Sequence, residues 1–173
     1  MCTPLRSRFA FILLFVGSLW LPLSAHGQVP NPTGRVTDQA AVLSAEDNLL
    51  LEQMLANFER ETTHQVGVLT VPTLAGEPME AFSLRTAKAW ALGRKGISNG
   101  ILVVLATTER KVRIELGVGF ERYISNAQAN EIIRTQMLPA FREKEYSKGL
   151  EQGLRELMKQ GRAFVVKQPV GRP

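Results

Sequence analysis

Four oxygen-bearing side chains stand out for the chemistry they could share: Asp38, Asn99, Glu121 and Asn126. Carboxylate and amide oxygens are the hard donors that calcium or magnesium prefers. Gly117-Val118-Gly119-Phe120-Glu121 carries two glycines able to bring backbone amides close to a ligand, although a tight turn accounts for them as well. Arg94 and Lys95 are cations that an anion could meet, with an ordinary solvated loop as the plainer reading. His64 follows Thr62 and Thr63, where a surface or turn role is expected rather than catalysis. Gly96-Ile97-Ser98-Asn99-Gly100 has the letters of GxSxG but leads into the apolar run Ile101–Ala106 instead of joining a strand to a helix, so it is no nucleophile elbow; no GxxxxGK[ST] loop is present, and a serine triad and a P-loop are both unsupported.

These residues meet only if the chain folds their segments together. Ile101–Ala106 is apolar on both faces, as a central strand covered by helices requires. In Lys111–Leu116, Val112, Ile114 and Leu116 alternate with charged residues, so this strand buries one face. Only Thr107 to Arg110 separates the two runs, which predicts an antiparallel hairpin. The start of one hairpin strand lies beside the end of the other, so Asn99 and Glu121 share an edge, with Asn126 near it. Asp38 joins them if its segment folds back over that edge. Glu109 and Arg110 sit in the hairpin turn, seven strand residues or roughly 23 Å from Asn99, and cannot share a small site with it. The simpler alternative is that Asn99 supports a turn with Gly100 and Asn126 decorates a helix start.

The remaining elements are set by periodicity. Ser44 precedes Glu46, Asp47 and the stripe Leu51, Met54, Leu55, Phe58, which predicts a capped amphipathic helix ending near Thr62. Val66–Val71 reads as the first strand, stopped by Pro72. Met79, Phe82, Thr86, Ala89 and Trp90 mark a second helix. Ser125 and Gln128 have capping-box spacing for a third helix, which Pro139 is expected to break. Leu150, Leu154, Leu157 and Met158 give a fourth, flanked by Gly149 and Gly153 at the spacing of a close helix contact. The order predicts an α/β fold: a three-layer αβα sandwich whose small mixed sheet is flanked by about four helices. Strands joined through a helix are expected to be parallel by a right-handed crossover.

Arg6 and Arg8 followed by the apolar run Phe9 to Leu23 and the small residues Ala25 and Gly27 have the order of a secretory signal peptide. Residues 1–27 are expected to be removed, giving a chain exported to the periplasm or extracellular space, and the mature part is not expected to span a membrane. Removal takes two cations and no acid, lowering the net charge from +5 to +3, too mild for nucleic acid. It also takes the only cysteine, Cys2, and leaves His64 as the only histidine, so zinc sites of Cys and His are excluded. Residues 28–35 read as an irregular leader, 36–162 as the domain and 163–173 as a short C-terminal tail.

The combined string resembles the TPM domain family, found in exported bacterial proteins and in a thylakoid-lumen protein linked to photosystem II repair. Its marks are Val36-Thr37-Asp38-Gln39-Ala40 before Leu43-Ser44, then Trp90-Ala91-Leu92-Gly93, Asn99-Gly100-Ile101-Leu102, Glu109-Arg110-Lys111, Gly117-Val118-Gly119-Phe120-Glu121 and Leu138-Pro139-Ala140-Phe141. The resemblance implies an αβα sandwich, and either calcium binding or, as in plant relatives, acid phosphatase activity. This chain has Glu109-Arg110 where the family usually has Asp-Arg, and Asn126 where it usually has Asp, which removes a charge from the proposed metal edge. Two functions stay open: an accessory module holding Ca2+, a protein partner or a small phosphorylated ligand, and a metal-dependent acid phosphatase. For the second, Arg94 and Lys95 would neutralise the phosphoryl group.

Overall fold

The computed structural model describes residues 28–94, 96–120 and 124–167. The proposed signal peptide, Lys95, Glu121 and the end of the tail lie outside the described residues.

Ser44 caps the first helix, Ala45–Thr62 (α1), by accepting from the Asp47 backbone N–H at 3.0 Å. The helix buries Leu51, Leu55 and Phe58, each worth about 1.5–3 kcal/mol. Gln65–Val71 (β2) and Gly100–Ala106 (β3) run parallel, joined through Met79–Ala89 (α2), and Lys111–Leu116 (β4) returns antiparallel to β3. Every residue of β3 is buried, as its apolar pattern on both faces demands.

The sheet has a strand that the periodicity did not show. Val36–Asp38 (β1) pairs in parallel with β2, giving the order β1-β2-β3-β4. Three residues are too few to display alternation, and this strand exists because Val36↔Val68 and Asp38↔Thr70 pair across the chain. Preceding it, residues 28–35 carry no regular structure, but Trp90 Nε1 donates to the Pro30 carbonyl at 2.8 Å.

Alternate residues of the strands feed two cores. Val36, Val66, Val68, Ile101, Val103 and Ile114 face α1 and the C-terminal helices, while Leu69, Val71, Leu102, Val104 and Ala106 face α2. The sheet therefore lies between helical layers. Strands β1, β2 and β3 step across it in one direction while α1 and α2 cover opposite faces, so the two crossovers have opposite hands. One of them is the uncommon left-handed kind, against the right-handed expectation.

Ser125 and Gln128 form the capping box of Asn126–Ile132 (α3). Pro139 does not break the helical path, contrary to expectation. The chain widens into a π-helix over Ile133–Met137 and continues as Leu138–Arg142 (α4), with the Leu138 N–H bonded to Ile133 O. The wider turn accommodates a proline ring that an α-turn would reject. Tyr146–Lys167 (α5) then packs back on it. A Cβ at Gly149 would lie 2.5 Å from a Phe141 ring carbon, and one at Gly153 would lie 2.2 Å from Met137 Cε, so both glycines serve the helix contact. Among the described residues, no helix is long and apolar enough to cross a membrane.

Candidate functional site

The parallel strands give the sheet an amino edge and a carboxyl edge. Asn99, just before β3, is at the amino edge and 1 % exposed. Its Oδ1 accepts from the Arg94 backbone N–H at 2.8 Å, which fixes the orientation of the amide. Nδ2 then donates to Thr63 O at 2.8 Å and to His64 Nδ1 at 3.2 Å. Asn99 is a brace joining the end of α1, the start of β2 and the 94–99 loop, and its oxygen faces a backbone amide.

His64 is not at the surface. It is 2 % exposed, with ring contacts to Phe120 at 4.6 Å and Phe58 at 5.9 Å. Burial among these groups disfavours the charged imidazole and lowers its pKa from 6.5 to about 4.

The glycines after β4 serve the same packing. Gly117 N–H donates to Gly100 O at 2.8 Å and Gly119 N–H to Ser98 O at 3.2 Å. A Cβ at Gly117 would sit 2.1 Å from Ser98 O, and one at Gly119 would sit 2.2 Å from Ile97 O. These glycines let two loops interlock, and their amides do not form an open cradle.

Asp38 lies at the other end of the sheet. It pairs with Thr70, whereas Gln65 pairs with Gly100, so five strand residues, roughly 17 Å, separate it from the amino edge. Its carboxylate is already engaged: Oδ1 accepts from the Val42 N–H at 3.3 Å and from the Thr70 hydroxyl, and Oδ2 from the Leu43 N–H at 2.9 Å. It fixes the turn into α1. Asn126 is exposed at the start of α3, and no hydrogen bond joins it to Asn99 among the described residues. The three described members of the proposed cation site therefore do not form one ligand set, and among the described residues no group of three or more His, Cys, Asp or Glu side chains could hold a metal.

The carboxyl edge gathers a different set. A cavity of ≈ 720 Å³ opens there between the hairpin turn and the junction of α4 with α5. Leu105 and Leu138 supply apolar surface, Phe141 and Tyr146 two rings, and Arg110, Arg142 and Lys144 three exposed cations. Thr107 completes the lining, which contains no acid. None of the three cations is in an ion pair among the described residues, whereas Arg35, Arg85, Arg113, Arg134, Arg155 and Arg162 each meet a glutamate. Three of the nearby acids are turned to other work, and Glu143, between Arg142 and Lys144, is exposed outside the lining. Glu145 pairs with Lys148 at 2.6 Å, and Asp47 is held below the usual carboxylate range by the hydroxyls of Ser44 and Ser147. Glu109 reaches away to the loop before α2, accepting from the Thr73 hydroxyl at 2.7 Å and the Leu74 N–H at 2.9 Å. Burial raises the Glu109 pKa, but these bonds and Lys111 outweigh it and the net shift is downward.

Two cavity cations sit on strained backbone. Arg110 has φ 53° and Lys144 φ 61°, a left-handed conformation that costs a residue with a Cβ roughly 1–2 kcal/mol. A second opening of ≈ 780 Å³ lies at the amino edge by Arg35, Glu59, Arg60 and Arg94. There Arg35 is tied to Glu59 at 2.7 Å, so an acid in the lining offsets one of the three cations. Sequence reasoning set Arg110 aside and passed over Arg142 and Lys144, since only the fold brings residues 110 and 142–146 together.

Comparison with known proteins agrees with this architecture. A domain from Porphyromonas gingivalis shares 29 % identity over 81 % of this chain and 89 % of its own, with a TM-score of 0.72. A domain from Corynebacterium glutamicum superposes with a TM-score of 0.58 at 14 % identity, over 86 % of this chain and 93 % of its own. A protein from the psychrophilic bacterium Bizionia argentinensis gives 0.63 at 15 %, over 71 % and 83 %. At those lower identities the likeness is one of fold. No curated protein matches the chain. The family model of the TPM domain matches residues 36–160, from the first strand into the last helix, and the chain belongs to the TPM domain family.

Proposed function

We propose that this TPM domain is an exported binding module whose site is the basic cavity at the carboxyl edge, and that it takes a small phosphorylated ligand. The observation that carries the reading is the set Arg110, Arg142 and Lys144, without ion pairs among the described residues, around a cavity lined by no acid. Guanidinium groups match the oxygens of a phosphate in a forked geometry, and each hydrogen bond to a charged group is worth about 1.5–3 kcal/mol. Carboxyl ends of parallel strands are also where open α/β sheets place their ligands.

Phosphate-ester hydrolysis is the second reading, since the same cations would offset charge on a transferring phosphoryl group. The lining supplies neither carboxylate nor histidine as a general base, so binding without turnover is expected. Calorimetric titration of the purified protein with inorganic phosphate, alone and with calcium, tests the proposal. Saturable binding that weakens in Arg142→Ala supports it, and absence of phosphate heat removes it. Export rests on the basic start and apolar run of residues 1–27. Mass spectrometry of the exported protein is expected to find a chain beginning near Gln28, and an intact Met1 on a membrane-bound product would refute export by cleavage.

A further inference from the structure

We infer that the ligand of the carboxyl-edge cavity carries an aromatic ring beside its anionic group. This deepens the binding reading above and rests on it. Size points first to a ligand larger than an ion. A bare oxyanion does not fill ≈ 720 Å³, a volume within the 300–1,000 Å³ range of sites that enclose whole organic ligands.

The lining is also divided by polarity. The cations Arg110, Arg142 and Lys144 are exposed, while Leu105 is 2 % exposed and Leu138, Phe141 and Tyr146 are half-buried. An anionic group held by the cations leaves the rest of the ligand against apolar and aromatic surface, so the ligand must itself be amphipathic. With no acid in the lining, a cationic body has no ion-pair partner there.

The arrangement of the rings selects an aromatic body over an alkyl chain. Phe141 and Tyr146 have centroids 5.8 Å apart and planes inclined at 41°. A flat group lying on one ring meets the other obliquely, close to the offset and edge-on arrangements that aromatic groups favour, at about 0.5–1.5 kcal/mol beyond area burial. The adjoining guanidinium groups of Arg110 and Arg142 can also lie over the face of such a ring. An alkyl chain gains neither.

Three probes separate these contributions: inorganic phosphate, butyl phosphate and phenyl phosphate, titrated calorimetrically into the purified protein and into Tyr146→Leu and Arg142→Ala. Phenyl phosphate is expected to bind about five- to ten-fold tighter than butyl phosphate. Tyr146→Leu keeps apolar bulk but removes one of the two rings and should lower that ratio about two-fold or more, Phe141 still offering a ring, whereas Arg142→Ala should weaken all three. Equal affinity for the phenyl and butyl esters, or a ratio unchanged in Tyr146→Leu, would overturn the ring inference and leave the binding module standing. Silence from all three probes would remove the binding reading and this inference with it. Thermal melts of both variants within a few degrees of the parent confirm that the comparison is made between folded proteins.

Discussion

The two edges of the sheet handle their polar groups in opposite ways. At the amino edge Asn99 commits its amide to Arg94, Thr63 and His64, and the glycine loop after β4 closes against Ser98 and Gly100. At the carboxyl edge Arg110, Arg142 and Lys144 stand around a cavity with no ion pair among the described residues. A buried polar group without a partner costs about 1–3 kcal/mol, so the first pattern is what stability selects. Exposed unpaired cations cost little in water and keep their hydrogen bonds for a ligand. The difference teaches that an oxygen or nitrogen in a site-like string becomes a ligand only if the fold leaves it unspent.

Substitutions should therefore separate the edges, stability falling at one and binding at the other. The largest effect is expected at Asn99. Asn99→Leu leaves Thr63 O and His64 Nδ1 buried without their donor and should cost about 3 kcal/mol in denaturant unfolding, with phosphate affinity unchanged in the folded fraction. A variant as stable as the parent would break the comparison at its structural end.

His64 should sharpen it with pH. Its folded pKa of about 4 lies below the ordinary 6.5, so the unfolded chain takes up the proton first as pH falls. Stability present above pH 6.5 is then lost as pH falls toward 4, at about 1.4 kcal/mol per unit, or about 2 kcal/mol between about pH 7 and about pH 5. His64→Gln, which can still accept from Asn99 but cannot titrate, should flatten that slope. A slope equal to the parent's would assign the acid sensitivity to other groups.

The carboxyl edge should respond in affinity. Arg142→Ala is expected to weaken phosphate binding about ten-fold or more while changing stability by less than about 0.5 kcal/mol. A melt lowered by several degrees, with affinity kept, would make Arg142 structural. The smallest effect is expected from Glu109→Gln, which keeps the Oε1 acceptor for Thr73 and Leu74 and should cost under about 1 kcal/mol with no change in binding.

Much of the fold was legible because the sequence reports local period well. The stripe Leu51, Leu55, Phe58, the cap at Ser44, the doubly apolar β3 and the capping box at Ser125 all stand where those residues put them. Elements held together by distant partners were not legible. Strand β1 exists through pairing with β2, and the helical path through Pro139 is packed along α5, with the π-helix and α4 both against it. The site obeyed the same rule. Hairpin reasoning put Asn99 next to the Gly117 loop correctly, but it did not show that the oxygen of Asn99 is taken. It had no means of placing Asp38, whose position depends on β1. Arg142, at the end of α4, and Lys144, in the turn after it, are far from Arg110 along the chain, and only the docking of α4 and α5 beside the hairpin turn makes them neighbours.

The most direct test is amide-resolved NMR of the purified protein titrated with inorganic phosphate and, separately, with calcium. Binding at the carboxyl edge predicts that phosphate shifts the amides of Thr107–Arg110 and Arg142–Tyr146 along one saturating curve, while those of Thr63, His64 and Asn99 stay in place. Phosphate shifts confined to the amino edge, or calcium shifts at Asn99 and Asn126 with the cavity silent, would contradict it.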